Sequence, residues 1–376
     1  MCPATGNSRF RYAIISSVAT ITRRRALAAI APLLGAGAAS RMLSGEASAQ
    51  DAQVAGGHDA HANGHGSYEH ASFRRGGRVD HARNGFDPSA VVRDFDEGTT
   101  TRLASGRVLR EWELVASEKE IEVAPGVAFA AWTYNGRVPG PALRAREGER
   151  LRIRFRNATH HPHTIHFHGI HPSDMDGVPG PGAGLIKPGG TTVYEFDAQP
   201  FGLHLYHCHA APLAAHITKG LYGAFIIDPK EGRPEADELV MVMNGFDTNF
   251  DRSNEVYAAN SIPFAYMDEP IAITRDELVR LYLVNVLEYD LINSFHLHGN
   301  LFNYYPTGTS LQPSELTDTV MQCQGQRGIL EMRFPHLGKF MFHAHQSEFT
   351  ELGWMGSFDV CDDTSAKLVC DLPAAP

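Results

Sequence analysis

The sequence predicts an all-β chain made of two tandem Greek-key β-sandwich or barrel domains. Three observations carry that reading. Strand-length segments, alternating or continuously apolar, recur between turn residues over most of the chain. No long amphipathic helix interrupts them. Two histidine motifs, always in the same order, occur once in each half, which marks a duplicated domain.

The elements follow in chain order. The first domain spans 100–229 and holds LRIRFRNA (151–158) and TTVYEFDA (191–198), set off by the turn-forming runs NGRVPGP (135–141) and KPGG (187–190). The polar stretch KEGRPEAD (230–237) is the linker. The second domain spans 238–361, with VRLYLVNV (279–286), GILEMRFP (328–335) and FMFHAHQ (340–346). Residues 1–49 read as an export signal. Thr22-Arg23-Arg24 with Leu27 resembles a twin-arginine motif, an apolar run follows from Ala26 to Ser40, and Ala47-Ser48-Ala49 offers a cleavage point before Gln50. The expectation is a periplasmic or secreted protein, exported by the twin-arginine route; the alternative is a buried helix with a chance arginine run. Residues 50–99 read as a His-rich flexible arm, in which His58, His61, His65 and His70 either collect copper loosely or belong to a solvated linker. Residues 362–376 form a tail.

Bulk properties exclude several classes. The 376 residues carry a formal net charge of -10, and without residues 1–50 the balance is 27 basic to 42 acidic side chains. No apolar run approaches the ~20 residues of a membrane span. Nucleic acid, an anionic membrane surface and membrane insertion are therefore poor expectations. Of five cysteines, Cys2 would leave with the signal and Cys208 sits between two histidines. Cys323, Cys361 and Cys370 remain; an oxidising compartment permits a Cys361–Cys370 bridge, but spacing does not fix the pairing.

The 20 histidines decide the functional reading. His166-Phe167-His168-Gly169 and His296-Leu297-His298-Gly299 are each followed later by a second His-x-His, His207-Cys208-His209 and His343-Ala344-His345. Histidines at i and i+2 on a strand share a face. Eight imidazoles in four forks are too costly to bury without a metal or other partners. In the first half, strand parity puts His163 and Cys208 on the opposite face, and His216 follows Cys208 by eight residues. Two imidazoles and a thiolate make the donor set of a blue copper site, with the soft thiolate selecting copper. The backbone flanking Cys208 leads directly to His207 and His209.

The stretches NGRVPGP, HPHTIHFHG, GLHLYHCHAAPLAAHITKGL, FHLHG and FHAHQSEFTELGWMG, over about 135–357 and in family order, resemble the multicopper oxidases built on cupredoxin domains. The resemblance implies one type 1, one type 2 and two type 3 coppers per chain. It implies type 1 ligands His163, Cys208 and His216, with Leu221 where many members carry an axial Met; loss of that donor raises the copper potential. It implies type 2 ligands His166 and His296, and type 3 ligands His168, His207, His209, His298, His343 and His345. Asp176 matches an acid that helps deliver protons to O₂, or is a turn residue; Glu348 and Glu351 are further candidates for that work. Asn293, Ala344 and Phe349 replace the blue-site ligands in the second half, so that domain should hold no type 1 copper. This layout resembles two-domain oxidases that close into a head-to-tail homotrimer, with each trinuclear site between two chains.

The expected activity is laccase-like: one-electron oxidation of a small reducing substrate, phenolic or otherwise aromatic, coupled to reduction of O₂ to water. Metallo-oxidation of Cu⁺, Fe²⁺ or Mn²⁺ is the nearest alternative, though Met-rich tracts that would favour cuprous ion are missing. Copper nitrite reductase is another; its first domain resembles this one through H-x-x-D-x-H and Y-H-C-A. Here His166 replaces that Asp and His209 follows the Cys, and a lone type 2 copper needs three histidines, not eight. A non-enzymatic copper store or carrier is the last.

Overall fold

A computed structural model describes residues 78–362. The expected signal segment, Cys2, the arm histidines His58, His61, His65 and His70, and Cys370 lie outside the described residues.

The first domain contains β1 (Phe95–Asp96), β2 (Thr99–Arg102), β3 (Val108–Ala124), β4 (Val127–Tyr134), β5 (Ala142–Arg146), β6 (Arg150–Asn157), β7 (His166–Phe167), β8 (Thr191–Asp197), β9 (Gly202–His207) and β10 (Tyr222–Asp228). They form two sheets, ordered β1-β5-β10-β9-β7 and β2-β3-β6-β8, with β4 paired to β3. The pattern of β6 shows why. Leu151, Ile153 and Phe155 alternate inward and are at most 1% exposed. The arginines between them face out and pair across the sheet, Arg150 with Glu195 and Asp197, Arg152 with Glu111 and Glu195.

The second domain repeats the plan. β11 (Asp237–Phe246), β12 (Val256–Ala259), β13 (Ile271–Thr274), β14 (Val279–Asn285), β15 (Ile292–Leu297), β16 (Phe302–Pro306), β17 (Glu315–Thr317), β18 (Thr319–Cys323), β19 (Arg327–Met332), β20 (Gly338–His343) and β21 (Met355–Cys361) make sheets ordered β12-β11-β14-β19-β16-β17 and β13-β21-β20-β15-β18. Every residue of β14 is buried, because its second face packs on the first domain. Tyr282 and Val284 share one apolar cluster with Leu203, Leu205, Ala224 and Ile226. Burial of Arg280 on this strand is matched by carboxylates: Nε lies 2.7 Å from Glu331 and Nη1 2.9 Å from Glu238. Glu238 also takes Arg144 of the first domain at 2.5 Å, so ion pairs and apolar area join the two halves.

One boundary needs correction. Residues 78–99, expected as part of the flexible arm, are ordered: α1 (His81–Asn84), α2 (Pro88–Val91) and β1 lie here. Val79, Phe86, Val91 and Val92 bury apolar side chains, Tyr266 Oη donates to Pro88 O at 3.0 Å, and Val240 N donates to Val92 O at 2.8 Å. Polar composition before residue 78 masked this strap. The remaining helices are single turns, α3 (Leu213–Thr218), α4 (Ala265–Asp268) and α5 (Ser347–Glu351). No helix among the described residues is long and apolar enough to cross a membrane. Cys361 is disulfide-bonded, whereas Cys208 and Cys323 are free thiols.

Candidate metal centre

Strand register builds the forks. β7 pairs with β9 so that His166 stands opposite His207, and β15 pairs with β20 so that His296 stands opposite His343. Cross-strand partners share a face. The second histidine of each motif falls just past a strand end or at its last turn: His168, His209, His298 and His345 lie in the loops. The forks therefore sit at the rim of each sandwich rather than along full strands.

Within each fork the ring nitrogens converge. His168 Nε2 lies 2.9 Å from His207 Nε2, and His298 Nε2 lies 2.8 Å from His343 Nε2. In both domains the backbone settles the tautomer. His207 Nδ1–H donates to Cys208 O at 2.8 Å, and His343 Nδ1–H donates to Ala344 O at 2.5 Å. In the neutral rings Nε2 is then a bare lone pair aimed into the fork. Burial holds His168 down to about 3 and His207 to about 4, with neighbouring histidines adding to the effect. Burial also lowers His298 and His343. Neutral, converging imidazoles are the form in which histidine binds metal.

His166 is held differently from His296. Asp176 Oδ1 lies 2.7 Å from His166 Nδ1, and His171 Nε2 lies 3.5 Å from the same oxygen. Burial lowers the His166 pKa despite that carboxylate. Asp176 caps a 3₁₀ turn at Ser173–Met175, so it is at once a turn residue and a histidine partner. Gly177 makes the approach possible: at φ +54°, a Cβ there would lie 1.8 Å from Ile165 O. In the second domain the equivalent His296 Nδ1 meets Thr319 Oγ1 at 2.8 Å, with no carboxylate as close. Glu348 and Glu351 lie exposed on α5. On the same helix the Thr350 hydroxyl is 3.3 Å from His343 Nδ1.

Behind the first fork, His163, Cys208 and His216 are together and buried, at 0, 0 and 3% exposure. Cys208 Sγ lies 3.1 Å from His216 Nδ1 and 3.7 Å from His163 Nδ1, and the two Nδ1 atoms are 3.1 Å apart. Ligands sharing one ion with bonds of about 2.0–2.3 Å stand at such separations. Burial lowers His163 to about 3 and His216 to about 4, and it raises the Cys208 thiol. Thr164 N–H donates to Cys208 Sγ at 3.4 Å, which favours the thiolate once an ion displaces its proton. The donor set fits copper: one soft sulfur and two imidazoles in a dry pocket.

Sequence reasoning missed the supports. Thr164 Oγ1 accepts His209 N–H at 2.9 Å, and Ser294 Oγ accepts His345 N–H at 2.7 Å. Each hydroxyl stands two residues before the first fork histidine of its domain, so aligning the halves would have found them. Trp132, whose ring lies against His163 and His216, carried no signal in the sequence. Among the described residues, no close ligand grouping or ring contact joins the histidines of one domain to those of the other. The first fork instead opens on a cavity of 220 Å³ whose far side is Val286, Gln324 and Gly325 of the second domain.

Comparison with known proteins agrees with this construction. Residues 116–232 and 234–364 each match the multicopper oxidase family. A crystal structure of a multicopper oxidase is 64% identical, superposes with a TM-score of 0.74, and covers 75% of this chain and 100% of its own. The blue copper oxidase of Nitrosomonas europaea is 26% identical, with a TM-score of 0.63 over 71% of this chain and 89% of that one. A copper-containing nitrite reductase of Neisseria meningitidis is 30% identical over 279 residues, 69% of this chain and 68% of the relative. With two domain matches and a donor set suited to the metal, the chain belongs to the multicopper oxidase family, as a copper-binding oxidoreductase of two cupredoxin domains.

Proposed function

We propose that the chain is a laccase-like oxidase, taking single electrons from phenolic or other aromatic donors and reducing O₂ to water. The observation that carries this reading is the pair of matched forks, one per domain, beside the separate His163–Cys208–His216 set. In this reading His166 and His296 hold a type 2 ion. His168, His207, His209, His298, His343 and His345 hold the type 3 pair. Copper there supplies one-electron transfer and dioxygen reduction. The chain supplies the geometry. The backbone around Cys208 links the two centres, and the Cys208 carbonyl itself orients His207. Asp176 holds a carboxylate against His166, where it can keep a proton near the cluster.

The forks do not meet within one chain, which supports a head-to-tail homotrimer with each cluster between chains. Export by the twin-arginine route belongs to the same reading and rests on residues 22–49 alone. Nitrite reduction is the second reading, favoured by the Neisseria relative. Against it stand His166 and His209, which enlarge the first-domain donor set beyond that enzyme's motif.

Elemental analysis of loaded protein should return about four coppers per chain, one per inferred site. Oxygen uptake should follow addition of 2,6-dimethoxyphenol and exceed that with Fe²⁺, Cu⁺ or Mn²⁺. Two coppers per chain with nitrite turnover would overturn the oxidase reading. Assembly has its own test. Chains carrying His166→Ala with His168→Ala are mixed with chains carrying His343→Ala with His345→Ala and refolded together. Interchain clusters restore part of the activity in mixed trimers; no recovery, with mixing confirmed by mass, defeats the interchain arrangement.

A further inference from the structure

A group of aromatic side chains lies outside the copper ligands yet touches them. The Trp132 ring is 4.9 Å from His163 and 4.8 Å from His216, centroid to centroid. The same indole is 4.9 Å from the ring of His161, which is exposed. One partly exposed ring thus links both imidazoles of the buried set to the surface.

The surface beside Trp132 is completed by the other domain. Phe250 is 61% exposed and stacks on Phe129 at 6.1 Å. Its loop is stiff. Asp247 accepts the N–H groups of Asp251 and Arg252, and Glu255 accepts the N–H and hydroxyl of Thr248. An exposed ring alone would mean little; what marks Phe250 is that it shares a cation with Trp132. Between the rings sits one cation: Lys219 Nζ lies 4.9 Å from Phe250, 5.3 Å from Trp132 and 5.7 Å from Phe129, and donates to Ala130 O at 2.9 Å.

We propose that Phe250, Trp132 and His161 form the docking shelf for the reducing substrate, and that its class is a phenol whose oxygen carries negative charge. This rests on the oxidase reading above. The phenol ring lies on the outer face of Phe250 and the rim of Trp132. Its oxygen turns toward Lys219, whose ammonium keeps donors beyond the one given to Ala130. The shelf puts the substrate against the ring that touches both ligand imidazoles. Specificity then belongs to both domains: Trp132 comes from the first and Phe250 from the second.

The test reads binding on the full, metal-free chain. Trp112 and Trp354 are 4% and 1% exposed, so among the three tryptophans Trp132 is the one a surface ligand can quench. Titration with 4-cyanophenol at about pH 8, a phenol acidic enough to be ionised below the range in which a buried lysine loses its proton, should give saturable quenching. Phe250→Ser should weaken that binding about tenfold, the loss expected from one aromatic contact. Lys219→Met should weaken it as well. Leu311→Ser, at an exposed site elsewhere on the second domain, should not. Circular dichroism confirms that each variant is folded. Absence of saturable quenching, or equal affinity in Phe250→Ser, overturns the shelf. With copper bound, Phe250→Ser should raise KM for dimethoxyphenol and shift the ratio of its kcat/KM to that for Fe²⁺, which has no ring to stack. A chain without blue colour or O₂ uptake would refute the oxidase reading itself. A blue, O₂-consuming chain in which that ratio is unmoved would refute the shelf alone.

Discussion

The two domains carry the same fork on one face and opposite solutions on the other. In the first, His163, Cys208 and His216 fill the space behind the fork with polar ligands. In the second, Asn293, Ala344 and Phe349 stand there, and the backbone proves the match. Leu221 N donates to His216 O as Trp354 N donates to Phe349 O; Cys208 N donates to Leu221 O as Ala344 N donates to Trp354 O. Phe349 thus replaces His216, and Trp354 replaces Leu221. The corresponding space in domain 2 is packed rather than hollow. Phe349 stacks on Tyr257 at 4.2 Å, Trp354 Nε1 donates to Ser294 O at 3.0 Å, and Ala344 is fully buried. Domain 2 packs apolar side chains where domain 1 gathers a cysteine and two histidines, and each domain has a hydroxyl that holds its fork.

Breaking the comparison at its centre has the largest effect. Cys208→Ser should abolish the blue thiolate absorption and donor-driven O₂ uptake while leaving the fork coppers bound. Ala344→Ser, at the matching position, should leave colour and turnover in place. Visible spectra and elemental analysis of the two variants decide it, and a Cys208→Ser protein that stays blue would refute the ligand assignment.

The packing side of the comparison comes next. Phe349→Ala removes the ring that fills the corresponding space in domain 2, and should destabilise the protein by about 3–5 kcal/mol in denaturant unfolding. The blue site in the other domain should keep its spectrum. A cost below about 1 kcal/mol would mean that the space behind the second fork is not tightly packed.

A smaller difference lies in how the first fork histidine is held. Asp176→Asn removes a charged partner from His166, and should cost about 10–100-fold in copper affinity or turnover. Thr319→Ala takes only a neutral partner from His296, and should cost less. Metal titration read by paramagnetic resonance compares the two; equal losses would show that the carboxylate has no special part.

The smallest effect is shared by both domains at their junction. Burial alone would raise the Glu238 carboxyl, but hydrogen bonds and charge from Arg144, with bonds from Tyr282 and Arg280, outweigh it and hold the pKa below the ordinary range. A depressed folded pKa contributes stability that is fully present above the unfolded value of about 4.3 and is lost as pH falls through the folded one. Melting temperature should therefore fall on acidification below about pH 5. Glu238→Gln should lower the melting temperature at neutral pH and flatten that acid slope. An unchanged slope would remove Glu238 from the junction's pH response.

Much of the site was legible without coordinates, because strand geometry turns spacing into direction. Residues two apart share a face and residues three apart do not. The spacing of His163, His166 and His168, and of Cys208 between His207 and His209, therefore sorted these side chains into two groups in advance, although only His166 and His207 lie within strands. The duplicated motifs likewise announced two β domains, and the alternation in β6 and the apolar run of β14 marked their strands. What the sequence could not hold were contacts between residues far apart in the chain. Trp132 meets His216, Phe250 crosses to Lys219, Thr319 reaches His296, and Val79 to Val92 straps the second domain against expectation. None of these has a period or a spacing. Each depends on which loops and strand ends the closed sandwiches bring together, and only the tertiary structure decides that.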